Sequence, residues 1–194
     1  RSHLGEALIA LSSTLYRFAL EIADIDRNVY ESLDLRVACH PSEDAERLVV
    51  RVLARAIAHE EGLEFGRGLS NTEDPTLLKQ SATGEIETWI DIGAPSAERL
   101  HRASKKATQV KVFTSKNQLM LKKAWSTRAI HKAEAIELTR FPPALVQSLA
   151  SALDRNMTWY VTLQEGGLSV ADASGESVDA ELERTDISAF LAGA

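Results

Sequence analysis

Two carboxylates, Glu87 and Asp91, fall four residues apart on one stretch of alternating character, Ile86 to Gly93. Ile86, Thr88, Ile90 and Ile92 face one way in that stretch, and Glu87, Trp89 and Asp91 the other, the signature of a strand. If two ionised carboxylates converge to about 5 Å they repel by roughly 3 kcal/mol at an effective dielectric near 20. Such a pair either recruits a cation or holds one member protonated. With oxygen ligands alone, the cation that suits them is Mg²⁺ or Mn²⁺ rather than zinc. Glu73-Asp74-Pro75 brings two more carboxylates just upstream. Glu46 lies beside Val49, Val50 and Leu53 at helical spacing, so its carboxylate sits on the margin of an apolar stripe and needs a partner. Downstream of Asp91, Arg99, Arg102 and Lys106 share one helix face with Lys105 at its edge, either a solvated face or a surface for polyanions. Cys39 and His40 are adjacent, but Cys39 falls on the apolar side of its strand, as a core residue does.

The elements that must position these side chains are legible from the pattern. Thr14–Ile25 and Val29–Cys39 alternate around Asp26-Arg27-Asn28, which predicts a β-hairpin, with Leu33, Leu35, Val37 and Cys39 on one side. Ser42 is placed to cap a helix in which Ala45, Leu48, Val49, Val52, Leu53 and Ala56 recur at helical spacing; Arg47, Arg51 and Arg55 line another face and Gly62 ends it. Leu63–Phe65 reads as a short strand. The strand bearing Asp91, a helix opened by Pro95 and Ser96 and running to about Lys106, and a strand at Val110–Phe113 form a βαβ unit with a right-handed crossover. Asp91 then lies at the carboxyl edge of a strand, a common place for active sites in open α/β sheets. Further on, the pattern predicts a helix at 117–127, a strand at 135–138, a helix at 143–153, a hairpin turning at Gly166-Gly167, and a last strand at 178–183.

Composition sets the outer bounds. The chain has 194 residues, 44% hydrophobic and 26% charged, with a net charge of −6, which excludes a fibrous or disordered chain and a generally basic coat protein of nucleic acid. Its single cysteine excludes a disulfide framework and thiolate metal sites; together with the lack of a bilayer-length apolar run, this leads us to expect a protein of the reducing cytoplasm. The charge is uneven: residues 96–132 carry ten basic side chains and one acidic, whereas 41–95 carry five and eleven. Glycines fit neither a phosphate loop nor a dinucleotide fingerprint, and no serine sits in a nucleophile elbow. Residues 1–11 read as a tag remnant or loose tail and 12–194 as a single α/β (α+β) domain.

The strings Ala23-Asp24-Ile25-Asp26-Arg27-Asn28, His40-Pro41-Ser42-Glu43 with Glu46-Arg47, Phe65 with Arg67-Gly68-Leu69, Glu73-Asp74-Pro75, Trp89-Ile90-Asp91-Ile92-Gly93 with Pro95, and Met157-Thr158 resemble, in order, the YaeQ family of bacterial proteins over residues 12 to 184. That resemblance implies a variant of the PD-(D/E)xK nuclease-like fold: a mixed sheet flanked by helices, here extended by the N-terminal and C-terminal β-hairpins. It also implies a site in which Glu46 is the helix glutamate, Asp91 the acid of the (D/E)-x-K triplet, and Asp74 or Glu87 the second acid around Mg²⁺ or Mn²⁺. Two departures stand in this chain. Gly93 occupies the place of the triplet lysine, and Thr76 follows Pro75, so the cation has to come from Lys105, Lys106, Arg99 or Arg102. Two expectations follow. One is a metal-dependent phosphodiesterase acting on nucleic acid, with Glu46, Asp91, Lys105 and Lys106 catalytic and Arg99, Arg102, Lys105 and Lys106 on the phosphate backbone. The other is a non-catalytic module of the same fold, binding nucleic acid or a transcription or repair protein.

Overall fold

The computed structural model describes residues 13–67 and 73–193, so the reading of 1–11 as a tail lies outside the described residues. Its first hairpin is β1 (Thr14–Asp24) and β2 (Val29–Cys39), paired antiparallel along their whole length. Asn28 makes the turn at a φ of 56°, a left-handed conformation that asparagine tolerates. The late hairpin is β8 (Asn156–Gln164) and β9 (Gly167–Asp172), followed by β10 (Ser177–Glu181). Its two turn residues are Glu165 and Gly166, both at positive φ, and Gly167 already belongs to β9. This mirror-image turn matches the strand twist.

The hairpins do not extend the central sheet. β8 pairs in parallel with β1, so the two hairpins form a separate five-stranded sheet in the order β10-β9-β8-β1-β2. The six-stranded sheet contains β3 (Glu64–Phe65), β4 (Leu77–Gln80), β5 (Ile86–Ile92), β6 (Ala107–Thr114), β7 (Ile136–Arg140) and β11 (Glu183–Asp186), in the order β11-β7-β6-β5-β4-β3. β5, β6 and β7 run parallel at its centre. The physical cause of two sheets lies between them. The helix α1 (Ala45–Ile57) is buried continuously from Leu48 to Ile57. Each hairpin carries one apolar face, including Phe18, Leu20 and Val37 on the first and Trp159, Val161 and Val170 on the second, and those faces share one core with α1, Ile90 and Ile92. α4 (Pro143–Ser151) packs beside α1.

A second core fills the other face of the six-stranded sheet, where Trp89, Val110, Val112 and Leu138 meet α2 (Ala97–Lys106), α3 (Gln118–Trp125) and α5 (Ile187–Ala192). The strand expected at 178–183 is two strands: the chain leaves one sheet at Glu181 and enters the other at Glu183. Leu182, which bridges them, donates its N–H to Gly166 O. The capping residue of α1 is Asp44, whose carboxylate accepts the Arg47 N–H at 2.7 Å, and the helix ends at Ile57 rather than at Gly62. Ser42 instead places its hydroxyl 2.7 Å from His40 Nδ1, outside the helix. Among the described residues no helix is long and apolar enough to cross a membrane.

Candidate functional site

Asp91 lies near the carboxyl end of β5, on the face turned toward α2, and is 2% exposed. The chain turns sharply after it, with Gly93 at a φ of 85° and its N–H bonded to Phe113 O. Ser96 then caps α2 by accepting the Arg99 N–H at 3.1 Å, which sets Arg99 in the first helical turn. From there the guanidinium reaches back to Asp91 as a fork: Nε donates to Oδ2 at 2.7 Å and Nη2 to Oδ1 at 2.7 Å. Trp89 Nε1 donates to Oδ2 at 3.0 Å, and the guanidinium lies 5.4 Å from the centre of the Trp89 ring. Burial works against the Arg99 cation, but the bonds to Asp91 and the charges of Asp91, Glu73 and Asp74 outweigh it and raise its pKa. A two-pronged pair of this kind is the strong form of ion pairing.

The same helix fastens the acidic loop. Arg99 Nη2 also donates to Asp74 O at 2.6 Å, and Arg102 pairs with Glu73 at 2.7 Å. The Asp74 carboxylate lies 3.4 Å from Arg67 Nε. Asp91, Arg99 and Asp74 therefore do come together, but Asp74 contributes its backbone carbonyl to Arg99.

Glu87 is directed elsewhere. Pairing jumps from Lys79–Thr88 to Gln80–Ile86, so Glu87 occupies a β-bulge. Its carboxylate lies 3.3 Å from Lys79 Nζ, which also holds Glu60 at 3.1 Å, and Glu60 accepts from the Thr88 hydroxyl at 2.7 Å. The burial of Glu60 opposes its charge, yet these bonds from Thr88 and Lys79 lower its pKa. Strict alternation, which places Glu87 on the Asp91 face, fails at the bulge.

Glu46 is half-buried in the first turn of α1, where a carboxylate complements the positive end of the helix. The side chain that joins α1 to β5 is its neighbour Arg47, whose Nη1 donates to Ile92 O at 3.1 Å. Lys105 and Lys106 are exposed in the last turn of α2, six and seven residues beyond Arg99 and so about 9–10 Å farther along the axis. They stand at the end of α2 remote from the Asp91 pair.

Asp91 already receives three N–H donors, one of them delivering a full positive charge along both oxygens. In this arrangement the donor set does not fit Mg²⁺ or Mn²⁺, because the guanidinium stands where the cation would. Among the described residues no three His, Cys, Asp or Glu side chains are grouped to hold a metal ion.

Several residues not picked out as candidates carry the surrounding electrostatics. Glu43, with its side chain 2% exposed, lies 3.0 Å from Arg51 Nη2 and 3.8 Å from Arg47 Nε. Arg51 also donates to Ala38 O at 2.7 Å, so it ties β2 to α1. Burial pushes the pKa of both Arg51 and Arg55 down. Arg55 Nη1 lies 2.8 Å from His59 Nδ1, and burial, then the Arg55 charge, lower the His59 pKa. The Asp24-Ile25-Asp26-Arg27 string is also a fastening: Arg27 binds Asp24 and donates to Ile57 O and His59 O at the end of α1. Asp26 accepts the Glu165 N–H at 2.8 Å and so joins the turns of the two hairpins. The i, i+4, i+8 spacing of Arg47, Arg51 and Arg55 was the available signal; what it lacked was the sheet that buries that face.

Known proteins resemble this chain over most of its length. The family model described as YaeQ protein matches residues 9–181. The YaeQ protein of Salmonella typhi is 31% identical over 167 residues, covering 85% of this chain and 92% of the relative. That of Escherichia coli (strain K12) is 30% identical over 166 residues, covering 84% and 91%. The crystal structure of YaeQ protein from Pseudomonas syringae superposes with a TM-score of 0.82 at 33% identity, covering 89% of this chain and 95% of that one. The YaeQ protein from Xanthomonas axonopodis pv. citri gives 0.81 at 31%, covering 90% and 98%. A family model that spans most of the chain, and relatives alike over nearly their full length, make this chain a member of the YaeQ family.

Proposed function

We propose that the chain is a non-catalytic binding module built on a PD-(D/E)xK nuclease-like plan, and that it engages the phosphate backbone of nucleic acid. The observation that carries this reading is the two-pronged bond from Arg99 to Asp91. A nuclease of that plan needs its strand acid open to a divalent cation and a lysine two residues on. Here the acid is closed by a tethered guanidinium, and Gly93 stands at the lysine position in a left-handed conformation that lysine rarely adopts. The α1–β3–β4–β5–α2–β6 order, with Asp91 near the carboxyl edge of β5, supports the nuclease-like plan.

The binding surface is the basic stretch that begins on α2. Lys105 and Lys106 are exposed at its end, Arg102 sits one turn before them, and residues 96–132 hold ten basic side chains against one acidic. Cations at the end of a helix also complement its negative pole. Such a surface attracts phosphates without reading sequence, by releasing counterions.

Fluorescence anisotropy of labelled duplex and single-stranded DNA and RNA across a salt series tests the proposal. Affinity should fall steeply with salt, each duplex phosphate contact adding about 0.9 to the log–log slope. Lys105→Glu with Lys106→Glu should flatten that slope, whereas EDTA should leave affinity unchanged. A salt-independent interaction, or none, overturns the nucleic-acid reading and points to a protein partner. Cleavage in Mn²⁺ that Asp91→Asn abolishes overturns it in favour of a metal-dependent phosphodiesterase.

A further inference from the structure

We infer a second, independent site: a small-oxyanion pocket on the opposite face of the six-stranded sheet from α2. A recess of 180 Å³ opens where the end of α1 meets β6, β7 and β11. This is below the roughly 300–1,000 Å³ of sites for drug-sized ligands, so it suits an inorganic anion or the head of a phosphomonoester.

Its floor is apolar and its wall is cationic. Phe113 and Ile57 are 3% and 6% exposed beneath it. Three cations line it, Arg27, Lys111 and Arg184; Arg27 is paired with Asp24 and Lys111 with Glu137, so the charge of Arg184 is the one left without an ion pair among the described residues. Each cation retains capacity to donate. Arg27 uses Nε on Asp24 and one bond each from Nη1 and Nη2 on His59 O and Ile57 O, leaving two of its five N–H groups. Those two carbonyl bonds also mask the negative pole of α1, which otherwise repels an anion there. Lys111 is 3.3 Å from Glu137, whose side chain is 62% exposed, so that pair is weakly held and an incoming anion can displace it. Arg184 stands opposite Thr139 in the β11–β7 ladder and forms no ion pair among the described residues. Thr139, 8% exposed, lines the same wall and carries a hydroxyl that can donate. Arg27 from a turn, Lys111 from β6 and Arg184 from β11 thus line one recess whose volume suits one phosphate group.

Thermal unfolding with inorganic phosphate, against chloride at matched ionic strength, tests the inference. Phosphate should raise the unfolding temperature saturably. Arg184→Gln should weaken phosphate at least about tenfold, the cost of losing one charge-assisted bond, and Thr139→Val should weaken it less. Lys105→Glu with Lys106→Glu, which abolishes the nucleic-acid surface proposed above, should leave the phosphate shift intact. Failure of either site is therefore read separately. No saturable shift up to tens of millimolar phosphate, or a shift that Arg184→Gln leaves unaltered, overturns this site.

Discussion

At the scale of single residues, the Asp91–Arg99 pair is a structural ion pair in a nearly dry setting. Asp91 is 2% exposed and takes the Arg99 guanidinium on both oxygens, so removing either partner strips the other of its main compensating charge. Breaking such a pair costs about 3–5 kcal/mol. Asp91→Asn and Arg99→Gln should each lower the unfolding free energy obtained from urea titration by an amount in that range. The double substitution should recover part of the loss, because neither charge is then left without its partner. Additive losses, measured by the four-member cycle, contradict the pairing. Gly93 belongs to the same scale. Its φ of 85° and the Arg47 Nη1 atom 3.4 Å from where a Cβ would stand explain why this position holds no side chain.

At the scale of elements, what was legible depended on whether the signal was local. The alternation of Val29–Cys39 and Ile86–Ile92 located β2 and β5 to within a residue, and the helical spacing of Leu48, Val49, Val52 and Leu53 located the body of α1, although its end falls at Ile57, well short of Gly62. Asp91 at a strand end beside a basic helix was legible for the same reason. The role of Glu87 was not, since a bulge leaves no mark in a periodicity, and Leu77–Gln80 is too short for one. Nor was it legible that Arg99 returns to Asp91, because that contact depends on the turn at Gly93. The start of α1 shows how close two readings can be. Ser42 and Asp44 are both good caps by type, and the chain uses Asp44 because His40-Pro41-Ser42 is spent on a turn closed by the Glu43 N–H to His40 O bond. Asp44→Ala should therefore cost about 1 kcal/mol of unfolding free energy. Ser42→Ala should cost a small fraction of that, as urea titration of the two variants will show.

At the scale of the whole molecule, α1 is a shared middle layer, and the charges around it make the stability of the two sheets depend on pH. His59, held by Arg55 at the end of α1, has a folded pKa below its unfolded value of about 6.5. The unfolded chain therefore binds more protons between those two values, and stability rises with pH across that window. The contribution is complete above about pH 6.5 and is lost as pH falls toward the folded pKa. His101, whose pKa is lowered by burial and by Lys105 and Arg128, acts in the same direction. Acidification from pH 7 to 5 should lower the urea midpoint, and His59→Gln, which keeps an acceptor for Arg55, should make that fall shallower. An unchanged slope in the variant contradicts the assignment.

The parallel pairing of β1 with β8 also has a consequence in time. Arg17 sits beside Asn156 and Asp24 beside Leu163, so a strand near the start of the chain gains its neighbour only when a strand near the end is in place. Until then the core around α1 lacks Trp159, Val161 and Leu168. Closing so long a loop costs entropy before any contact rewards it, which slows folding. During synthesis the helix that later lies deepest is thus among the last to be sheltered. The apolar face of α1 waits for strands that emerge last, and that interval is when exposed apolar surface is most prone to aggregate.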